Sequence, residues 1–249
     1  MSKPKFYALI IGTEILNRRR EDSHFEFVSK ALAKYGYRLS GSFIIEDDPK
    51  LIVKSVEFIA SLPNSILFSF GGIGSTPDDY TREASAIALR DGNLYTHQEA
   101  LEIIKRERGE KAYPHAVKMA ELPAGAKLLD NPVNKMPAFY LEDRFFFMPG
   151  FPQMSHPMVE KILEDILRDK SKKEYRYTLT ALTRESTLID VMKKIPEGVE
   201  LSSLPKIYSD GVRVTISVSS ENDNLAKEAF GMFINELENK NIPYSIGEK

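Results

Sequence analysis

Over roughly the first 170 residues, short unbroken apolar runs alternate with stretches whose apolar positions recur every three or four residues. An unbroken run reads as a strand buried on both faces, and the 3.6-residue recurrence as a helix with one buried stripe. Phe6–Ile11 is the first buried strand. Ser23 and Glu26 then form a capping box, with Phe25, Val28, Leu32 and Tyr35 at helical spacing and Gly36 at the C-terminal stop. Ser42–Ile45 is the second strand. Asp48-Pro49 opens a helix running to about Leu62, where Pro63 ends it. Ser65–Phe70 is the third strand, followed at once by two glycines. Helices are expected from Thr81 to Arg90, and from a second capping box, Thr96 with Glu99, to Arg108. Phe139–Leu141 and Arg144–Met148 flank Glu142-Asp143 as a hairpin. A helix over Ser155–Arg168 presents Val159, Ile162, Leu163 and Ile166 on one face.

Three strand–helix alternations imply right-handed βαβ units, an α/β class and a mostly parallel sheet between two helix layers. The grammar changes near residue 170. Lys170–Glu174 has linker chemistry, separating an expected domain over 1–169 from a second over 175–249. In the second, strand Tyr175–Thr183 and helix Thr187–Ile195 precede a hairpin turned by Asp210-Gly211. Val212, Val214, Ile216 and Val218 alternate along its second strand. A helix carrying Leu225, Ala229, Phe230, Phe233 and Leu237 and a strand at Ile242–Ile246 complete βαββαβ, the ferredoxin-like order.

Composition narrows the function classes. Thirty-four Lys plus Arg balance 36 Asp plus Glu, a net charge of −2, so no global basic field gathers nucleic acid or an anionic membrane. Cysteine is absent, which removes disulfides, thiolate catalysis and Cys-ligated zinc, and suits a reducing cytoplasm. No run approaches the roughly 18 apolar residues needed to span a bilayer, and Phe6–Ile11 is too short for a signal-peptide core.

The candidate chemistry sits at Gly71-Gly72-Ile73-Gly74-Ser75-Thr76-Pro77-Asp78-Asp79-Tyr80-Thr81, between a buried strand and a helix. Open α/β sheets bind ligands outside the carboxyl ends of their strands. Glycines let the backbone approach a ligand and aim amides at an anion. Two acids after such a loop would repel phosphate; they make sense as metal ligands or a proton acceptor. The segment is neither a Walker A loop nor the dinucleotide fingerprint, and a glycine-rich turn with an Asp helix cap would read the same.

This loop resembles the signature of the MoaB/Mog-type molybdopterin-binding fold, and most of all the N-terminal domain of the CinA (competence/damage-inducible protein A) family. Further motifs follow in family order: Ile11–Leu16 resembles I-G-D-E-L-L, Asp22-Ser23-His24 resembles D-T-N, and Ile44–Asp48 resembles V-V-x-D-D. Leu122–Ala126 resembles L-P-x-G-A, Asn131-Pro132-Val133 resembles N-P-V-G, and Met148–Pro152 resembles L-P-G-V-P. The matches cover about residues 6–168, and the tail resembles the family's small KH-type domain. The family's C-terminal amidohydrolase domain has no counterpart in these 249 residues, so nicotinamide-mononucleotide deamidation is not implied.

The resemblance implies a small phosphate-bearing ligand, a molybdopterin-type pterin or a nucleotide. It also implies hydrolysis of a pyrophosphate bond in an ADP-ribose-like nucleotide with Mg²⁺, Mn²⁺ or Co²⁺. Gly71, Gly72, Gly74, Ser75, Thr76, Thr81, Asn131, Pro149 and Gly150 would bind ligand. Asp79 and Asp47 would be catalytic, and Glu14, Asp47, Asp78 and Asp79 would gather at strand ends to hold the metal. The alternatives are a non-catalytic pterin- or nucleotide-binding module linked to molybdenum cofactor synthesis, and an assembly module with a vestigial site. A homo-oligomer, most simply a dimer, is also implied. Departures favour the binding module: the family's Asp is Thr13, its glycines are Arg18, Asn134 and Ala138, its Asn is His24, and its acid-Met pair is Met154-Ser155. Arg18–Arg20 reads as a phosphate clamp or as a solvated charge cluster. Phe145–Phe147 reads as core. No G-x-x-G loop occurs after residue 170, so nucleic-acid clamping by the tail is not expected.

Overall fold

A strand apolar along its whole length needs cover on both faces, and β1 (Lys5–Ile11) has it: every residue after Lys5 is buried. The computed structural model describes residues 3–168 and 173–248. The chain forms two compact units, residues 1–171 and 172–249. Most of the linker read at Lys170–Glu174 lies outside the described residues.

In the first unit β1 leads through a single helical turn, α1 (Thr13–Leu16), to α2 (His24–Ala33) and β2 (Leu39–Ile45). Next come α3 (Pro49–Ser61), β3 (Ser65–Phe70) and α4 (Thr81–Leu89). An excursion over residues 94–123 follows: β4 (Leu94–Thr96), α5 (Gln98–Arg108), two 3₁₀ turns (Gly109–Ala112 and Ala116–Ala120) and β5 (Glu121–Pro123), which pairs back onto β4. The chain then forms β6 (Lys127–Leu129), β7 (Ala138–Leu141), β8 (Phe145–Met148) and α6 (Pro152–Leu167).

The sheet order is β2-β1-β3-β8-β7-β6. Pairing is parallel from β2 through β8 and antiparallel at β7 and β6. Helix α2 packs with α6, and α3 with α4. This is the expected three-layer α/β arrangement, with Phe6, Phe68, Phe70, Phe139, Phe145 and Phe147 fully buried in its core. The β7–β8 turn holds Glu142 and Asp143 at φ 56° and 52°, the paired left-handed geometry of a two-residue hairpin. Phe145–Phe147 is core strand, as read.

Three readings change. Ser23 makes no capping bond; Asp22 accepts from the His24 and Phe25 amides instead (2.9 and 3.1 Å). Helix α5 is capped by His97, whose Nδ1 accepts from the Ala100 amide, and not by Thr96. Helix α6 starts at Pro152, three residues before the expected Ser155.

The second unit contains β9 (Tyr175–Ala181), a 3₁₀ turn (Glu185–Leu188), α7 (Ile189–Met192), β10 (Glu200–Tyr208), β11 (Gly211–Ser220), α8 (Asp223–Asn239) and β12 (Tyr244–Ile246). Its antiparallel order, β10-β11-β9-β12, is that of the ferredoxin-like arrangement. The helix expected over Thr187–Ile195 is reduced to the 3₁₀ turn and the four residues of α7. Pro205 is tolerated because β10 pairs on one side only.

Candidate functional site

The carboxyl ends of β1, β2, β3 and β8 open onto a cavity of about 710 Å³. Glu14, Asp47, Gly71, Gly72, Gly74, Ser75, Thr76, Asp78, Asp79, Pro149 and Gly150 all line it. Thr81 and Asn131 lie beneath the wall. Thr81, fully buried, donates its hydroxyl to the Gly71 carbonyl (2.9 Å). Buried Asn131 donates to Asn134 Oδ1 (2.6 Å) and the Met136 carbonyl, and accepts from the Val133 amide.

The glycine loop is required by contact. Gly71 and Gly72 have φ of 102° and 69°. A Cβ on Gly71 would strike the Ile11 carbonyl, and one on Gly72 the Thr81 hydroxyl. Gly150 packs backbone to backbone on Gly71: its Cβ would lie 3.3 Å from the Gly71 Cα. The Gly71 amide is spent on the Met148 carbonyl (3.0 Å). The next four amides, of Gly72, Ile73, Gly74 and Ser75, make no hydrogen bond to another described residue. Consecutive unspent amides on a cavity wall are the chemistry of an anion nest.

The acids are differently placed. Asp79 Oδ2 accepts from the Thr76 amide (2.7 Å) and the Thr76 hydroxyl, closing the loop on itself. Asp47 Oδ2 accepts from the Thr13 amide and hydroxyl (2.8 and 2.9 Å), while the Asp47 amide donates back to the Thr13 hydroxyl. Thr13 therefore ties the loop after β1 to the loop after β2. A carboxylate at 13 could not donate to Asp47. Glu14 pairs with Arg20 (3.6 Å). Glu14, Asp47, Asp78 and Asp79, the acids expected to hold a metal, all line the cavity. Among the described residues no three His, Asp or Glu side chains converge as a metal group. Asp47 and Asp79 each turn an oxygen into a threonine latch.

Arg20, in the cavity lining, and buried His24 both meet Gly150. Arg20 donates to the Gly150 carbonyl (2.7 Å) and lies over the Phe151 ring. His24 stacks on Phe70 with centroids 4.2 Å apart, and its Nε2 lies 3.3 Å from the same carbonyl. Burial lowers the His24 pKa to about 4, so the ring is neutral at pH 7 and donates through Nε2. Met119, Met136, Pro137 and Met154 add apolar lining.

A fold whose strand ends carry a glycine nest, closed by a Met-Pro-Gly turn, invites comparison with known proteins. The family described as probable molybdopterin binding domain matches residues 7–169. The chain belongs to that family. A CinA-like protein of Fusobacterium nucleatum is 28% identical over 246 residues, covering 96% of this chain and 59% of its own length. The chain thus spans somewhat over half of that relative. A Thermococcus kodakarensis protein is 30% identical over 234 residues, covering 86% of this chain and 91% of its own. Among solved structures, CinA of Thermoplasma acidophilum superposes with a TM-score of 0.59 at 26% identity, covering 66% of this chain and 99% of that one.

The molybdopterin-binding domain also contains cavity residues that motif reading missed. Arg108, Lys111 and His115 line the cavity from the 94–123 excursion. Buried Arg82 holds that excursion in place by donating to the Lys118 and Glu121 carbonyls. Arg82 directly follows the recognised Thr81, but nothing in local periodicity marks its reach across 36 residues. Of the triplet Arg18–Arg20, only Arg20 lines the cavity.

Proposed function

We propose that the cavity binds a small phosphate-bearing ring compound, a pterin or a nucleotide, with the phosphate seated on the Gly72–Ser75 amides. The run of four unspent amides in a loop that lines the cavity carries this reading. The methionines and Pro137 of the lining suit a flat ring. Family membership supports a pterin-type ligand.

A thermal-shift series with AMP, ADP-ribose and a phosphorylated pterin tests it. A ligand at about 100 times its Kd adds about 2.7 kcal/mol of stability, several degrees at this size. Gly74→Ala would place a methyl 2.6 Å from Asp79 Oδ2 and displace that carboxylate from Thr76, so it should abolish the shift at a modest cost in the apo melting temperature. No stabilisation by any of the three compounds would end this reading.

The hydrolytic reading asks Asp47 and Asp79 to hold a divalent cation, but each commits its Oδ2 to a threonine and leaves one oxygen for a metal. ADP-ribose incubated with Mg²⁺, Mn²⁺ or Co²⁺ should be recovered intact. Metal-dependent release of AMP, lost in Asp79→Asn, would restore the pyrophosphatase.

A further inference from the structure

We propose that a second cavity, lined by α6 and strands β6–β8, binds a small amphiphilic carboxylate, with Lys161 as its counter-charge. Every lining residue belongs to the first unit. The cavity shares none of them with the strand-end site, so this reading stands or falls apart from the one above.

The cavity follows from how the sheet is covered. Strands β1, β3, β8 and β7 carry a row of rings, Phe6, Phe68, Phe146 and Tyr140, with successive centroids 6.0, 5.9 and 5.5 Å apart. The first three rings are buried. Tyr140, where the row runs out toward the β6 edge, is only half-buried. Met158, Ile162 and Ile166 recur at four-residue spacing along α6, so they form one stripe, and all three line the same space. Stripe and rings leave a cavity of about 430 Å³, within the range of small-molecule sites. Its walls therefore suit an apolar body.

Charge decides what that body carries. Asp130, Asp143, Asp165 and Lys161 also line the cavity, so formal charge suggests a site for a cation. Ion pairing reverses that impression. Each aspartate already has its own partner: Asp130 has Lys135 (3.4 Å), Asp143 has Lys127 (3.0 Å) and Asp165 has Arg168 (3.0 Å). Lys161 has no carboxylate within ion-pair reach among the described residues. Asp165 stands one turn further along α6, where a helical pair with Lys161 could form, but it is spent on Arg168. The unanswered charge of the lining is thus an ammonium. A ligand cation would meet it uncompensated, whereas a carboxylate answers it. One exposed ammonium adds modestly to affinity, so the apolar body supplies most of the binding and the charge supplies the selection.

Isothermal titration of the whole chain with naphthoate, naphthylmethanol and naphthylmethylamine tests this, since the three share one apolar body and differ in charge. Naphthoate should bind tightest and the amine weakest. Lys161→Gln should weaken naphthoate about fivefold and leave the alcohol within about twofold, while Lys161→Arg should keep naphthoate binding. Lys161 is exposed, so the melting temperatures of both variants should hold. Ile166→Trp, which fills the cavity from α6, should remove naphthoate and alcohol together while the circular dichroism stays that of the parent chain. Absence of naphthoate binding overturns the proposal, as does tighter binding of the amine or an unchanged naphthoate affinity in Lys161→Gln. Unchanged binding in a folded Ile166→Trp, or displacement of naphthoate by AMP, would place the ligand elsewhere and overturn it equally.

Discussion

His24 shows how one side chain can couple the site to the stability of the fold. It is 2% exposed, between Phe70 and the His156 ring, whose centroid lies 5.3 Å away. Burial lowers the pKa of both histidines, His24 from 6.5 to about 4. A depressed histidine pKa means the unfolded chain binds the proton more readily. The stabilisation is complete above pH 6.5 and is lost as pH falls toward 4. For His24 alone this amounts to about 3 kcal/mol. Urea midpoints at pH 7, 5.5 and 4.5 should fall accordingly. His24→Gln, which keeps a donor for the Gly150 carbonyl, should flatten most of that slope, and an unchanged slope would remove His24 as its source. The same scale explains the other departures from family motifs. Thr13 latches Asp47, and Asn134 lies 3.6 Å from Met154 Sδ across the cavity wall. Arg18 occupies a left-handed φ of 60°, at the position where the family resemblance leads one to expect glycine. These residues were legible as departures, but their partners were not, since each partner is brought close only by the fold.

Among elements, those defined by their own burial were legible and those defined by neighbours were not. Strands β1, β3 and β8 are buried almost throughout because both faces are covered. Edge strand β2 buries only Ile45, so its first three residues left no pattern. Strands β4, β5 and β6 have three residues each and exist through pairing. Helix caps were misplaced by one residue because Ser23 and Asp22 are both good caps on paper. The geometry assigns α2 to Asp22, with two amides on one carboxylate at the positive end of the helix. Asp22→Ala should cost about 1 kcal/mol in urea unfolding, and Ser23→Ala less than about 0.5. The reverse order would return the cap to Ser23.

For the whole molecule, each hydrophobic core closes on residues of its own unit. One is centred on the phenylalanines of β1, β3, β7 and β8, the other on Leu179, Ile216, Val218, Phe233 and Leu237. The change of grammar near residue 170 was legible because one face of β11 is apolar (Val212, Val214, Ile216, Val218) and the other polar (Arg213, Thr215, Ser217, Ser219), giving a two-residue alternation. The site was legible only on its sheet side. Its far wall rests on the 94–123 excursion, held by Arg82 and a three-residue ladder, and no motif spans that distance. We propose that the units are separate domains and that phosphate binding belongs to the first. Phe233→Ala, emptying a fully buried site in the second core, should destabilise that unit by about 3–5 kcal/mol. Calorimetry should then show an early transition insensitive to AMP and a later one that AMP still raises. If AMP no longer raises any transition in this variant, the second unit is required for the first to bind, and the two form a single functional body.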